Sequence, residues 1–464
     1  MTNSIISFFI QIQLIYLLYL IITNVSATLL ILISLKKLIL EYYNNSQYIM
    51  RKIIESHIYR PVSIIVPAYN EEQTLIASIN SFMRLHFPEF EVIVVNDGSN
   101  DNSMEKLKKE FQLISTIIPK RLLLSHQKIR GVYKSELYSN LIVIDKENGG
   151  KADALNSGIN LSQYPLFCCV DADSILEERS ILSAMESFVK DRSVVAVGGT
   201  VGILNGSQIE NNRVTKRILP KRFIESVQVM EYLRGFLSGR TGWEQMNALL
   251  IVSGAFGIFR KDIVMKINGY LHTIGEDFDL LVRMRKYCYD NKIEHKVSFI
   301  PETMCWTQAP SDFTSLLKQR NRWHRGLLET LYHNRKMILN PKYKIIGMLS
   351  LPYFILIEAA GPIITFLGVI SLIVLYIYGT INKDTILLFF MLEFVWGISL
   401  NILSVSMDIF TLHAYQNFSS LIKLLWLGIL EPFIYRPAIK VEQFMASFNF
   451  FNANWGEIKR SSIE

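Results

Sequence analysis

The chain has 464 residues and a mass of 53.5 kDa, is 50% apolar and 19% charged, and carries a formal net charge of +7. The apolar residues gather toward both ends, which is a membrane composition, and no basic run with interleaved aromatics is present, which sets nucleic acid aside as a partner. The positive balance suits a protein that faces an anionic inner leaflet or handles phosphates.

Residues 5–35 contain no Asp, Glu, Lys or Arg, a run longer than the ~20 residues a helix needs to cross the hydrocarbon core. The start lacks Lys and Arg and the run exceeds a signal core of ~7 to 15 residues, so an uncleaved anchor over residues 1–40 is expected. Lys36, Lys37, Arg51 and Lys52 follow, and the positive-inside bias then puts the N-terminus outside and the central region in the cytoplasm. Cys168, Cys169, Cys288 and Cys305 have no metal-ligand spacing and are expected to be buried free thiols in a reducing compartment.

From residue 61 short β-branched runs alternate with polar loops and amphipathic helices, which predicts a parallel α/β sheet. The first strand, Val62-Ser63-Ile64-Ile65-Val66, ends in Pro67-Ala68-Tyr69-Asn70-Glu71, and a helical period runs to about residue 86. A second strand, residues 91–95, ends in Asn96-Asp97-Gly98-Ser99 before a helix over 103–113. Residues 114–140 read as a basic, irregular surface excursion. A third strand, 141–144, leads through Gly149-Gly150-Lys151 into a helix over 152–161, and a fourth, 166–170, delivers Asp171-Ala172-Asp173.

Residues 194–203 read as another strand and 213–243 as a basic, mostly helical insertion. Residues 249–252 read as a strand entering Ser253-Gly254-Ala255-Phe256-Gly257, whose small residues allow another molecule to lie close to the backbone or simply form a packing turn. Gly275-Glu276-Asp277 opens a helix over 278–287, and residues 311–339 form a basic amphipathic stretch suited to a membrane surface. Apolar segments at about 345–360, 362–378, 386–406 and 421–435 predict membrane helices, counted as four, with a break at Gly361-Pro362. That count places Lys383, Arg436, Lys440, Lys459 and Arg460 in the cytoplasm. Glu358, Glu393 and Glu431 inside these segments are candidates for a polar path, with Asp408 at an interface.

Open α/β sheets bind ligands at the carboxyl ends of their strands, where the polar residues above collect. Two aspartates one residue apart can hold a divalent cation, Mg2+ or Mn2+, while a diphosphate supplies further oxygens; an isolated Asp-x-Asp is as well a turn or a cap. Glu276-Asp277 supplies a carboxylate for general base catalysis, or an acid pair favoured by the helix dipole alone. In Gln319-Arg320-Asn321-Arg322-Trp323 the arginines can fork onto phosphate and the indole can carry a sugar ring, or the stretch is an interfacial helix.

Taken in order, these motifs resemble the membrane-bound, processive family 2 glycosyltransferases, the relatives of cellulose, hyaluronan, chitin-oligosaccharide and poly-N-acetylglucosamine synthases. The likeness spans about residues 62–325. It implies a GT-A (nucleotide-diphospho-sugar transferase) domain with a mostly parallel α/β sheet over 55–310, interfacial amphipathic helices over 311–343, an α-helical transmembrane region over 344–438 and a cytoplasmic tail over 439–464. It further implies that Pro67, Ala68, Tyr69, Asn70, Glu71, Asp97 and Lys151 hold a UDP-sugar donor. Asp171 would approach the nucleotide, Asp173 would bind the divalent cation with it, and Asp277, beside Glu276, would be the catalytic base. Gln319, Arg320 and Arg322 would meet the diphosphate, Trp323 would stack on the acceptor, and Ser253 and Gly254 would line the acceptor side. The partners it implies are a growing polysaccharide, the lipid bilayer and accessory export proteins. Gly275 stands where family members often carry Thr, and the basic insertions at 114–140 and 207–243 fit nothing in the pattern. Two other functions compete: a single sugar transfer to a lipid or other acceptor, and a nucleotide-binding transporter or sensor.

Overall fold

A computed structural model describes residues 2–43, 52–117, 123–411, 415 and 417–449. Arg51, Lys459, Arg460, residues 118–122 of the expected excursion and the tail beyond 449 lie outside the described residues. The chain divides into two compact units, one formed by the described parts of Leu40–Pro220 and Leu249–Ala309, the other by those of Met1–Ile39, Lys221–Ala248 and Pro310–Ile458.

The first unit is an α/β sheet. Its strands are β1 (Val62–Ala68), β2 (Phe90–Asn96), β3 (Leu113–Ser115), β4 (Ile129–Ser135), β5 (Leu141–Lys146), β6 (Leu166–Cys169), β7 (Ile175–Leu176) and β8 (Val194–Ile203). A two-stranded hairpin of β9 (Gln208–Glu210) and β10 (Arg213–Lys216) stands apart, and β11 (Gly257–Arg260) and β12 (Lys296–Thr307) complete the main sheet. The order is β3-β4-β5-β2-β1-β6-β11-β8-β12-β7. The centre, β5-β2-β1-β6, is parallel, its strands are apolar runs buried on both faces, and helices lead into β2 and β6. The margins are antiparallel, so the sheet is mixed, with parallel pairing confined to the centre and to β8 with β12.

Three expectations from sequence change here. The described parts of 114–140 are no loose excursion: β4 pairs antiparallel with β5, and β3 with β4, so they extend the sheet. Charged and apolar side chains mix in β4 as they do in a half-exposed strand near a sheet's margin. Residues 249–252 form no strand; Leu249, Leu250 and Val252 are buried, but the ladder forms further on, at β11. The stretch 213–243, expected to be mostly helical, opens with the second strand of the β9/β10 hairpin before the helix Phe223–Leu233.

The second unit is helical. Ser4–Leu40 and Lys383–Phe410 are long and apolar enough to cross a membrane, and two bent pairs, Ile346–Ala359 with Gly361–Ile377 and Phe418–Leu430 with Tyr435–Phe448, raise the number to four if each pair is one span. The bend of 44° falls at Gly361-Pro362, where proline supplies no N–H to the ladder. The first two apolar segments therefore continue one another across a kink, and do not double back as a hairpin.

Two glutamates inside this unit are paired. Glu431 is fully buried and accepts from Arg436 at 2.6 Å and Asn401 at 3.0 Å, with Arg234 at 3.5 Å; Glu393 lies 3.3 Å from both Lys440 and the Tyr16 hydroxyl. Arg436 and Lys440, expected on the cytoplasmic side, neutralise the two glutamates that apolar surroundings would otherwise penalise.

The helix Lys151–Leu161 carries the candidate lysine, and it lies so close to the sheet that a Cβ on Gly158 would sit 2.4 Å from Ile65 Cγ2. Overpacking such a contact costs ~1–3 kcal/mol. Gly158→Leu is therefore expected to lower the thermal unfolding midpoint of the detergent-solubilised full chain, and an unchanged midpoint would rule out this close approach.

Candidate active site

The parallel centre of the sheet brings the carboxyl ends of β1, β2, β5 and β6 to one edge, where the site is built. The loop after β1 and the loop after β2 are laced together. Asn70, at φ 56, accepts from the Asn100 amide at 2.9 Å while its own amide donates to Ser99 Oγ at 3.0 Å. The Glu71 amide donates to Ser103 Oγ at 3.1 Å. Tyr69, next to Ala68 at the end of β1, stays exposed.

Asp97 is buried, and its carboxylate is engaged inside the protein. It pairs with Lys146 and accepts from the amides of Gly149 at 3.1 Å and Gly150 at 2.7 Å. Lys146 also pairs with Asp153 at 2.6 Å, so one fully buried ammonium stands between two buried carboxylates. Asp97 therefore shapes the turn that starts the Lys151 helix, and Gly98 follows it at φ 70, a left-handed backbone where a Cβ would meet the Asn148 amide at 2.7 Å. The sequence placed Asp97 at the edge but gave no sign of Lys146, which reads as the polar end of an apolar strand.

Lys151 begins its helix and points back across the edge. Its Nζ lies 2.7 Å from Asp171 and 3.5 Å from Glu276. Burial works against its charge, but Asp171 and then Glu276 hold the ammonium well above the usual lysine range. Asp173 is buried, and burial followed by the neighbouring Asp171 pushes its carboxyl up. Two carboxylates one residue apart, one paired with a lysine and the other pushed up by burial and its neighbour, offer hard oxygens chemically suited to a divalent cation. Among the described residues no group of three or more His, Cys, Asp or Glu side chains is set to hold a metal alone, so a cation here would draw on Asp171, Asp173 and oxygens from outside the protein.

Asp277 faces the same edge. Its Oδ2 accepts from the Gly254 amide at 3.1 Å and its Oδ1 from the Phe278 amide at 2.9 Å, the latter at the start of the helix Glu276–Asp290. A Cβ on Gly254 would lie 2.9 Å from Lys151 Nζ and 3.6 Å from Asp277 Oδ2, so the absent side chain is what lets ammonium, backbone and carboxylate meet. Ser253 closes this turn, its carbonyl accepting from the Phe256 amide at 3.1 Å. Sequence reasoning missed two supports. Asn156 clamps the Tyr270 backbone at 2.8 and 2.9 Å, and Glu276 reaches the same lysine as Asp171.

Gln319, Arg320, Arg322 and Trp323 belong to the helical unit, on the helix Phe313–His333. Asp312 caps it, accepting from the Ser315 amide at 2.8 Å. Arg320 is buried; it donates to Glu231 at 2.5 Å, to Tyr435 at 3.1 Å and to Gln319, and its guanidinium lies 4.2 Å from the Trp323 ring centre, which is itself half exposed. Asn321 donates to Glu442 at 2.7 Å and His324 meets Ser447 at 2.9 Å, tying this helix to Tyr435–Phe448.

The fold is shared with a mannosyltransferase from Pyrobaculum calidifontis solved in complex with GDP-Man and Mn2+, at a TM-score of 0.53 and 15% identity over 87% of this chain and 99% of that one. The protein thus has the GT-A fold. The model for Glycosyl transferase family 2 matches residues 63–267 and that for Glycosyl transferase family group 2 matches residues 166–403, about half of the chain, so the chain belongs to Glycosyl transferase family group 2. Over 271 residues it is 28% identical to a poly-beta-1,6-N-acetyl-D-glucosamine synthase of Staphylococcus epidermidis and 27% identical to one of Staphylococcus aureus strain COL, covering 58% of this chain and 55% of each relative. The chain spans about half the length of these curated relatives.

Removing Lys146 strands two buried carboxylates, a loss of ~3–5 kcal/mol. Lys146→Met is expected to abolish folding or lower the unfolding midpoint severely, whereas Lys151→Met, at a partly exposed pair, leaves the midpoint nearly unchanged. Thermal melts on both variants check this; equal midpoints would contradict it.

Proposed function

We propose that the chain is an inverting, processive glycosyltransferase that uses a UDP-sugar, UDP-N-acetylglucosamine favoured, to elongate a β-linked polysaccharide and pass it out through its own membrane helices. The observation that carries this reading is the meeting of Lys151, Asp171, Glu276, Gly254 and Asp277 at one sheet edge, in a chain similar to poly-β-1,6-N-acetylglucosamine synthases. The apolar helical unit in the same chain supports export, and the basic residues flanking its helices support a multi-pass protein of the cell membrane with a cytoplasmic catalytic domain.

In this reading the loop Pro67 to Glu71 receives the uridine, and Asp97 fixes the turn from which Lys151 reaches the phosphates. Asp171 and Asp173 would hold Mg2+ or Mn2+, which when bound neutralises charge gathering on the departing diphosphate. Lys151, tied to Asp171 and Glu276, supplies a second positive charge at the same edge. Asp277 takes the proton of the acceptor hydroxyl as its oxygen attacks the anomeric carbon and the bond to UDP breaks on the opposite face. One displacement without a covalent enzyme intermediate converts an α-linked donor into a β-linkage. Gln319 and Arg322 are assigned to the diphosphate and Trp323 to the acceptor sugar; the burial of Arg320 against Glu231 and Tyr435 supports a role in holding this motif rather than in direct phosphate contact.

Incubating the purified full chain with radiolabelled UDP-N-acetylglucosamine and sizing the product tests the proposal. A long polymer is expected, and a product limited to one added sugar would establish the single-transfer alternative. Asp277→Asn and Asp173→Asn are each expected to reduce turnover by at least ~100-fold, the scale of a general acid–base contribution, with the protein still inserted and folded. Unchanged turnover in either would displace the chemistry from these carboxylates. Chelation by EDTA is expected to abolish transfer, with recovery on adding Mg2+ or Mn2+, and full activity in EDTA would remove the cation from the account.

A further inference from the structure

Residues 253–255 belong to no strand, yet they present to Asp277 one of the two amides its carboxylate accepts from. Backbone carbonyls in such a half-buried turn have no ladder partner and find donors elsewhere. Two consecutive ones find thiols. Cys169 Sγ lies 3.7 Å from Gly254 O, and Cys305 Sγ lies 3.3 Å from Ala255 O.

The two cysteines come from different parts of the sheet. Cys169 ends β6, two residues before Asp171, and Cys305 is in β12, with β11 and β8 lying between those strands. Both are buried free cysteines, and a thiol S–H can donate to a carbonyl. A small apolar packer at either position would fill the space but leave a carbonyl unsatisfied, at the foot of the turn that carries the Gly254 amide.

We propose that Cys169 and Cys305 are positioning residues for sugar transfer, their thiols fixing the carbonyls of Gly254 and Ala255 so that the Gly254 amide stays on Asp277. The inference rests on the reading of Asp277 as the base. It gives the thiols a task beyond core packing: with the turn released, Asp277 loses the N–H that aims it toward the acceptor. The charged and titratable groups around Asp277 are Glu276, the Lys151 ammonium above Gly254, the buried Tyr270 phenol and Asp279, which is held by Arg283 at 2.6 Å. Cys169 also hydrogen-bonds the Tyr270 phenol, whereas the partner of Cys305 besides Ala255 is Ser174.

The test is the full chain bearing Cys169→Ala and Cys305→Ala together, assayed with UDP-N-acetylglucosamine and titrated with UDP alone. The expected result is a fall in kcat per folded molecule of about tenfold, with KM for the donor and affinity for UDP within about twofold of the parent. A kcat lost only in proportion to the folded fraction would overturn the proposal and leave the cysteines as packing. Should the double variant fail to fold, Cys305→Ala alone releases one carbonyl and must still lower kcat per folded molecule with KM unchanged; an unchanged kcat there is equally fatal. Asp277→Asn assayed in parallel separates the two claims. An active Asp277→Asn removes the base and this inference with it, whereas an inactive Asp277→Asn beside unaffected cysteine variants removes the latch alone.

Discussion

Three carboxylates, Asp171, Glu276 and Asp277, share one sheet edge, and a cation lies among them. Lys151 is that cation, 2.7 Å from Asp171 and 3.5 Å from Glu276. Its charge offsets the repulsion between like charges held this close. The edge is thus electrostatically incomplete by design: its acids outnumber its base, and a phosphate-bound divalent cation is the partner that would complete the balance on the proposed reading.

Lys151 is in turn placed by groups that never reach the edge. The buried set Asp97, Lys146 and Asp153 fixes the Gly149-Gly150 turn, and Gly158 lets the helix behind it seat on Ile65. On the other side the Ser253 to Ala255 turn holds Asp277 through a backbone amide. Charged residues buried this deeply are costly unless every one is paired, so the scaffold of the site is less tolerant of change than the site's own surface.

Much of this was legible in the chain. The apolar strands, their polar carboxyl ends and the paired aspartates announce themselves through period and composition, and Asp171, Lys151 and Asp277 do converge as their positions suggest. What was not legible depends on long-range pairing. β4 hides in a polar, alternating stretch, and residues 249–252, as apolar as any strand, remain outside the ladder. The partners of Asp97 and Arg320 were likewise invisible, since Lys146 and Glu231 lie 49 and 89 residues away in sequence. The partners of Arg436 and Lys440 were hidden as well, because a sequence shows the sign of a group and not the glutamate it meets.

The central claim is that transfer occurs by one direct displacement, with Asp277 as the base. The anomeric configuration of the product tests it most directly. Nuclear magnetic resonance of the glycan made from α-linked UDP-N-acetylglucosamine is predicted to show β-linkages throughout. An α-linked product would contradict the account, because retention requires a second step for which this edge is not assigned a nucleophile.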